Sequence, residues 1–243
     1  MSAVEFRDVS FAIDGRTILD HLSFAVEPGE TLVLLGRSGS GKTTALRLIN
    51  AMLMPTSGEV RVQGKSTGEW DSVRLRRAIG YVIQDAGLFP HFTVARNVGV
   101  VPTLENWPAQ KVNARVSELL DRVGLPAADF GGRFPPELSG GQRQRVGVAR
   151  ALAADPAILL FDEPFGALDP VTRLDLQNEF LRLRSDLRKT SVFVTHDVHE
   201  AIRLGTRIGL LHQGRMVFLG PPAEFGASAD PEARAFLGVL RAE

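Results

Sequence analysis

Residues 31–43, Thr-Leu-Val-Leu-Leu-Gly-Arg-Ser-Gly-Ser-Gly-Lys-Thr, decide the fold of this chain. The run from Thr31 to Leu35 shows no polar alternation, which is typical of a strand buried on both faces in a parallel sheet. The glycine-rich segment that follows, 36–43, fits the P-loop pattern, and a helix is predicted from about Lys42 to Met52. A strand, a phosphate-binding turn and a helix in this order predict an α/β fold.

The chemistry of a P-loop needs these residue types. Glycines let several backbone N–H groups point at one anion, and the helix that follows adds partial positive charge. Lys42 is expected to reach the terminal phosphates, and the Thr43 hydroxyl is expected to bind Mg²⁺. A glycine-rich surface turn is the alternative, but the flanking strand and helix disfavour it. The predicted nucleotide-binding residues here are Gly36, Arg37, Ser38, Gly39, Ser40, Gly41, Lys42, Thr43 and Thr44.

Composition limits the function classes. The chain has 243 residues, 44% of them hydrophobic and 23% charged, as in an ordinary globular protein. Its 28 basic and 28 acidic residues balance, which disfavours nucleic acid as a partner. It has no cysteine, no signal-peptide pattern and no apolar run long enough to cross a membrane. We expect a cytosolic protein that reaches a membrane only through a partner.

The order of patterns along the chain indicates one domain over residues 1–243 with a helical insertion. Strand patterns fill the first sixty residues, with a hairpin turn at Asp14-Gly15. Residues 88–154 read as helical. Buried-strand patterns then return at Ala157–Phe161, Ser191–Thr195 and Arg207–Leu211, the last followed by a hairpin turn at Gln213-Gly214. The predicted fold class is α/β: a P-loop NTPase core with a mixed sheet, an N-terminal antiparallel β-subdomain and an inserted α-helical subdomain.

Two carboxylates end a buried strand. Asp162 is expected to hold Mg²⁺ through its water shell, and Glu163 to polarise the attacking water. An acidic turn at a chain exit is the alternative interpretation.

Two further polar residues follow apolar runs and could lie at the same sheet edge. Gln84 ends the run Ile79–Ile83 and could reach the metal, although a plain strand-end amide explains it as well. His196 follows a buried strand, where a neutral imidazole could contact a γ-phosphate or its attacking water. A structural or merely exposed histidine is the alternative.

A second anion site is predicted at Leu138-Ser139-Gly140-Gly141-Gln142, which precedes a helix. A hydroxyl, flexible N–H groups and a helix N-terminus suit phosphate, but an ordinary N-cap serine explains the same residues. Since the P-loop already surrounds one triphosphate, this segment would serve another anion or the nucleotide of another chain.

Taken together, these segments resemble the motif set of an ATP-binding cassette (ABC) transporter ATPase over nearly the whole chain. The segments are Gly36–Thr43, Gln84, Leu138–Gln142, Ile158–Glu163, Ala167–Asp169 and His196. The resemblance implies a homodimer with two ATP molecules sandwiched head-to-tail, each between the P-loop of one subunit and Ser139-Gly140-Gly141 of the other. It implies that Thr43, Gln84 and Asp162 take part in binding Mg²⁺.

The same resemblance assigns the remaining roles. Glu163 is the implied catalytic base, and His196 contacts the γ-phosphate. Asp169 lies at the subunit seam, and Gln84 links the nucleotide state to the membrane partner. Gln142 belongs with the segment that covers the second nucleotide.

A narrower resemblance is to importers of quaternary-amine osmoprotectants such as glycine betaine, carnitine and choline. It rests on 80–84, 87–91, Val101-Pro102 with Trp107-Pro108, and 162–170. It implies integral-membrane permease subunits as partners, a periplasmic or extracellular substrate-binding protein acting indirectly, and a peripheral location on the cytoplasmic face of the membrane. An importer of another cargo class (amino acid, anion or metal chelate) is the main competitor.

Three features depart from the family pattern. Ile13 stands where many relatives stack an aromatic ring on adenine, so it is expected to give apolar contact without stacking. Arg37 replaces a common proline of the loop and is expected to point outward. No C-terminal regulatory module is expected, because the chain ends at Glu243.

Two other function classes compete. A soluble ABC-type ATPase of chromosomes or ribosomes would usually carry a long coiled coil or a second cassette, and neither is seen. A P-loop kinase acting on a small molecule would leave Ser139-Gly140-Gly141 without a purpose.

Overall fold

A computed structural model describes residues 1–240, so the predicted end of the domain at Glu243 lies outside the described residues. The chain divides into two compact units. The first consists of Met1–Arg76 and Lys189–Glu243, and the second of Arg77–Arg188.

Strands and helices alternate along both units. The strands are β1 Val4–Ile13, β2 Arg16–Val26, β3 Thr31–Leu35, β4 Ser57–Val62, β5 Lys65–Ser66, β6 Ile79–Val82, β7 Ile158–Asp162, β8 Thr190–Thr195, β9 Arg207–His212 and β10 Arg215–Gly220. The helices are α1 Lys42–Ile49, α2 Ser72–Ala78, α3 Val94–Val98, α4 Val100–Leu104, α5 Ala109–Arg122, α6 Ala127–Phe130, α7 Gly140–Leu152, α8 Pro170–Leu187, α9 Val198–Leu204, α10 Pro222–Gly226 and α11 Pro231–Leu240.

The first unit holds an antiparallel sheet of order β2-β1-β4-β5 and the strand series β10-β9-β3-β8. In the second of these, β3 runs parallel to β8 and β9, while β10 is antiparallel to β9. The predicted mixed sheet and N-terminal antiparallel sheet are therefore confirmed. The predicted hairpin turns are confirmed too, since Ile13 pairs with Arg16 and Arg215 pairs with His212.

Strand β3 is buried along its whole length, as is its neighbour β8. All five of its residues are buried, because β8 and β9 flank it on both edges and helix α9 packs against it. This explains its unbroken apolar sequence: neither face meets water, so alternation has no purpose.

Helix α1 ends earlier than the sequence predicts, at Ile49 instead of Met52. Ala51 has a φ of 51° in the left-handed region, and the N–H groups of Met52 and Leu53 both turn back to the Arg47 carbonyl. These bonds close the helix end and satisfy carbonyls that would otherwise lack donors. The prediction to Met52 was wrong because no glycine or proline marks this stop.

The second unit contains the parallel pair β6 and β7, with helices α3 to α7 between them in sequence. The helical insertion predicted for 88–154 falls within this unit, and its standing as a separate subdomain stays a prediction. None of the helices in residues 1–240 combines the length and the hydrophobicity that a bilayer span requires.

Candidate active site

The P-loop connects β3 to α1 in the first unit and closes on its own backbone. Lys42 is only 5% exposed, and its Nζ donates to the carbonyls of Gly36 and Arg37, at 2.8 Å each. The Ser40 N–H also donates to the Arg37 carbonyl, at 3.2 Å. The ammonium is thus held within the loop, while Arg37, Ser38 and Gly39 are exposed. Thr43 and Thr44 lie half-buried in the first turn of α1.

Two glycines of the loop sit where a side chain would collide. A Cβ on Gly36 would lie 2.4 Å from the Leu211 carbonyl oxygen. Gly41 has a φ of 101°, and its Cβ would lie 2.5 Å from Leu19 Cδ2. The loop therefore needs glycine at both positions to keep its curl against the neighbouring strands.

The donors of this loop fit a phosphate group. Ser40 Oγ is buried and has no hydrogen-bond partner among the described residues. Gly41 caps α1 in a left-handed conformation, and the first turn of that helix carries no acidic residue. An unpaired hydroxyl, a helix N-terminus and the Lys42 ammonium offer a polyanion both charge and hydrogen bonds.

Strand register places His196 next to the P-loop. Leu35 of β3 pairs with Thr195 of β8, so Gly36 and His196 each follow a paired residue at the same sheet edge. His196 is exposed there. The expectation that this histidine lies at the carboxyl edge of the sheet is confirmed, while its role stays a prediction.

The β1–β2 hairpin also approaches the P-loop. The Ile18 carbonyl oxygen would lie 3.0 Å from a Cβ on Gly41. Ile13, at the end of β1, is 54% exposed. Because Ile13 pairs with Arg16 at the start of β2, the structure puts an apolar side chain and a guanidinium on a hairpin that contacts the loop.

In the second unit, Asp162 ends β7 and Glu163 follows it, while Gln84 lies two residues after the end of β6. Val82 pairs with Phe161, so Gln84 and Glu163 each lie two residues beyond a paired position. A Cβ on Gly166 would be 3.2 Å from Gln84 Nε2 and 3.7 Å from Glu163 Oε2. The structure thus brings together three predicted site residues of this unit, with Gln84 exposed and both carboxylates half-buried.

Tyr81 is a site residue that the sequence does not reveal. Its hydroxyl donates to Asp162 Oδ2 at 3.2 Å, from the neighbouring strand β6. This bond orients the carboxylate proposed for Mg²⁺. The one available signal is that Tyr81 is the polar-tipped residue in the otherwise apolar run before Gln84.

Glu163 has a left-handed backbone, with a φ of 47°. A non-glycine residue in this region is strained by about 1 kcal/mol or more, and such residues cluster at functional sites. The following proline disfavours the helical region for Glu163, so local preference points to an extended backbone. The folded unit overrides that preference and aims this side chain toward Gly166 and Gln84.

Asn97 organises the loop that follows Gln84. It is completely buried, and its Oδ1 accepts the Phe89 N–H at 2.8 Å. Its Nδ2 donates to the carbonyls of Phe89, Phe92 and Thr93, at 3.1 Å each. Helix α7 holds the same loop, because Gln144 Nε2 donates to the Ile83 carbonyl and Arg150 donates to the carbonyls of Ala86 and Gly87. Sequence reasoning missed these residues.

We expect Asn97→Ala to lower the free energy of unfolding by about 2 kcal/mol, since it leaves buried loop groups without partners. Asn97→Asp should be worse, because a carboxylate would face three carbonyls. Thermal unfolding and limited proteolysis at 86–92 measure the effect. Asn113→Ala, on the exposed face of α5, is the matched control. An Asn97→Asp protein as stable as the wild type would contradict this assignment.

Ser139 caps helix α7. Its Oγ accepts the Gln142 N–H at 3.3 Å, and Gln142 Oε1 accepts the Ser139 N–H at 2.9 Å, which forms a capping box. A Cβ on Gly141 would lie 2.5 Å from Thr172 Cγ2, so this glycine permits close packing with α8. The N-cap interpretation is confirmed, while a role for Ser139, Gly140, Gly141 and Gln142 toward a nucleotide stays a prediction.

Asp169 caps helix α8. Its carboxylate accepts the Thr172 N–H at 3.0 Å, and hydrogen bonds with Thr172 hold the pKa of this exposed carboxyl below its usual range. Asp169 therefore stays ionised at neutral pH.

The donor set for a metal consists of hard oxygen ligands. Among residues 1–240, no group of three or more His, Cys, Asp or Glu side chains is placed to hold a metal ion. The Thr43 hydroxyl in the first unit, and the Gln84 amide and Asp162 carboxylate in the second, are each oxygen donors of the kind that Mg²⁺ takes. This ion keeps several waters and takes few protein ligands when it binds with phosphates. The residues present fit that ion.

The sequence profile of the ABC transporter family matches residues 19–166, more than half of the chain. The chain belongs to this family, as an ABC transporter ATPase domain. The predicted resemblance and fold class are thereby confirmed.

Three relatives illustrate the similarity. The osmoprotectant import ATP-binding protein OsmV of Salmonella typhimurium is 48% identical over 224 residues, which cover 92% of this chain and 59% of that protein. The glycine betaine/carnitine/choline transport ATP-binding protein OpuCA of Bacillus subtilis is 49% identical over 210 residues, 86% of this chain and 55% of that protein. This ABC transporter ATPase domain thus spans between 55% and 59% of the length of these two relatives.

The third relative is a solved structure. It is the dimeric ATP-binding cassette MJ0796 in a post-hydrolysis state bound to ADP and Pi. It superposes with a TM-score of 0.80 at 33% identity and covers 90% of this ABC transporter ATPase domain and 98% of that chain.

Proposed function

We propose that this chain is the ATP-binding and ATP-hydrolysing subunit of an ABC importer for quaternary-amine osmoprotectants such as glycine betaine, carnitine and choline. The observation that carries the ATPase part is the P-loop, with its buried unpaired Ser40 hydroxyl, its obligate glycines and its enclosed Lys42 ammonium. The cargo class rests on the names of OsmV and OpuCA, which match the sequence resemblance.

In this proposal the first unit binds the nucleotide. The backbone of 36–41 and the N-terminus of α1 bind the phosphates, and the Lys42 ammonium pairs with the negative charge of the terminal phosphates. His196 contacts the γ-phosphate from the neighbouring strand end. Ile13 gives the base an apolar contact without ring stacking, so the phosphates supply most of the affinity.

The roles proposed for residues of the second unit concern the metal ion and the attacking water. Asp162, oriented by Tyr81, and Gln84 would supply oxygen ligands for Mg²⁺ from this unit, and the Thr43 hydroxyl is the proposed ligand in the first unit. The ion would neutralise charge on the phosphates. Glu163 takes a proton from the attacking water as general base, and its left-handed backbone fixes the direction of the carboxylate.

The proposal includes a head-to-tail homodimer. Ser139, Gly140, Gly141 and Gln142 of one chain would cover the nucleotide bound by the other, with Asp169 at the seam. The capping box supports this role because it presents the exposed N-terminus of the 13-residue helix α7 in one defined conformation. Closure of the dimer around ATP would move permease subunits, which hold the protein at the cytoplasmic face of the membrane, and a substrate-binding protein would deliver the cargo.

Reconstitution with the permease and binding protein tests the function. Proteoliposomes that contain the complex should take up radiolabelled glycine betaine only when ATP is present on the side of this subunit. Unlabelled choline and carnitine should compete, and sulfate or amino acids should not. ATP-dependent uptake of another cargo class, without uptake of quaternary amines, would overturn the cargo assignment and leave the ATPase assignment standing.

A further inference from the structure

An ion pair connects the P-loop to the last helix, α11. Arg37 Nε donates to Glu232 Oε1 at 2.6 Å, and Arg37 Nη2 lies 3.4 Å from Glu232 Oε2. The two residues are 195 positions apart in sequence. This two-pronged contact belongs to the first unit alone, and the function proposed above does not use it.

Helix α11 holds Glu232 in place. The Asp230 carboxylate caps this helix by accepting the N–H groups of Glu232, at 2.9 Å, and Ala233, at 3.1 Å. Ala233 is completely buried, and the helix packs on α9. The Glu232 side chain is 13% exposed, against 65% for that of Arg37. The acid is therefore the anchored partner and the arginine is the partner being held.

The charge environment keeps Glu232 ionised. The hydrogen bond from Arg37 is the main cause that holds the pKa of this carboxyl below its usual range. His212 Nδ1 lies 3.6 Å from Glu232 Oε1 and also lowers the pKa of this carboxyl. The pair therefore persists across neutral pH.

Arg37, the residue held by Glu232, is also the one whose backbone holds the P-loop lysine. The Arg37 carbonyl accepts both the Lys42 ammonium, at 2.8 Å, and the Ser40 N–H, at 3.2 Å. A contact that fixes the Arg37 side chain therefore restrains the peptide group that receives Lys42. Arg37 is therefore the one residue that connects Glu232 of α11 to the Lys42 ammonium: its side chain bonds the acid and its carbonyl accepts the ammonium.

We propose that Glu232 is a positioning residue for the P-loop: by holding Arg37 it sets the orientation of the Arg37 carbonyl and thereby of Lys42, and so raises the affinity for nucleoside triphosphate. This inference rests on the proposed nucleotide-binding function. It differs from a pure charge effect, in which Glu232 would repel the anionic nucleotide and its removal would tighten binding.

Charge-conserving variants separate the two accounts. Glu232→Asp keeps the charge but shortens the side chain by one methylene, and Arg37→Lys keeps the charge but loses the guanidinium fork. Positioning predicts that Glu232→Asp, Glu232→Gln and Arg37→Lys each raise the Kd for the fluorescent analogue mant-ATP about threefold, as expected for a partly exposed pair. The Arg37→Lys/Glu232→Asp double variant should bind no more weakly than the weaker single variant.

Salt and kinetics give readouts that a merely structural role would not move. Because the pair is partly exposed, the difference between wild type and Glu232→Gln should shrink from low salt to high salt. KM for ATP should rise while kcat stays nearly unchanged, since Glu232 acts before the chemical step. Asp20→Asn breaks the similar Arg215–Asp20 pair and is the matched control, because within residues 1–240 no side-chain hydrogen bond or ion pair joins these two residues to the P-loop.

Each outcome decides the proposal. Tighter binding by Glu232→Gln, wild-type binding by Glu232→Asp, or equal loss in the Asp20→Asn control would overturn it. If wild-type protein itself fails to bind mant-ATP, the proposed nucleotide-binding function fails. If it binds and the Glu232 variants are unchanged, only the positioning role fails.

Discussion

We expect the Glu163→Gln protein to bind ATP as tightly as the wild type and to hydrolyse it about 10²–10⁴-fold more slowly. Glutamine keeps the length and backbone demands of glutamate, including the left-handed φ of 47°, but it cannot accept a proton from water. Because the nucleotide would stay intact, the closed dimer should accumulate in the presence of ATP. Phosphate release measures turnover, equilibrium binding of mant-ATP measures affinity, and gel filtration with ATP measures dimer formation.

Glu69→Gln is the control for the loss of one carboxylate, since Glu69 is exposed and lies outside the proposed site. It should leave turnover at the wild-type rate. Normal phosphate release by the Glu163→Gln protein would remove Glu163 from the role of base. Weak binding by that protein would instead indicate that the substitution disturbs the fold of the strand end.

The second large effect is expected for Lys42→Ala, which should weaken ATP binding about 100-fold. The Nζ donates within the loop to two carbonyls, so it is already positioned where the phosphates are proposed to bind. Turnover at saturating ATP should fall less than the affinity, in contrast to the Glu163→Gln protein. Titration with mant-ATP and turnover at several ATP concentrations separate the two kinds of loss.

Lys65→Ala provides the matched control for removal of a lysine. Its ammonium lies 5.1 Å from the Trp70 ring, away from the P-loop. This variant should bind ATP like the wild type. An equal loss of affinity in both lysine variants would mean that net charge, not the loop geometry, governs nucleotide binding.

The sequence predicted the local structure of residues 31–44 well, because they form a short strand-turn-helix unit. The apolar run of β3 and the glycine pattern after it describe a conformation that neighbouring residues impose on one another. The rule that parallel strands present their carboxyl ends at one edge then placed His196 beside Gly36, as the Leu35–Thr195 register shows.

Contacts between distant segments could not be predicted in this way. The four bonds of Asn97 depend on where α3 lies against the loop after Gln84. The Arg37–Glu232 pair depends on how the chain returns after 195 residues. A pattern of residue types along the chain does not predict which distant residues come into contact, because any exposed arginine and glutamate satisfy the same pattern.

The backbone conformation of Glu163 differs from the one that its neighbours in sequence favour. Its neighbour Pro164 favours an extended conformation for the preceding residue, yet φ is positive. Tertiary packing, with buried Pro164 and Phe165 on one side, outweighs that local preference. Strain of this kind is therefore visible only in the folded chain.

Helix α7 has a mechanical consequence. It is a 13-residue rod, about 20 Å long, with Ser139 at its first turn and Arg150 near its last. Arg150 grips the peptide groups of Ala86 and Gly87, and Gly147 lets Ala86 approach so closely that an added Cβ would lie 3.1 Å from it. A displacement of the segment beyond Gln84 would therefore tilt helix α7 as a rigid body and move Ser139 at its other end.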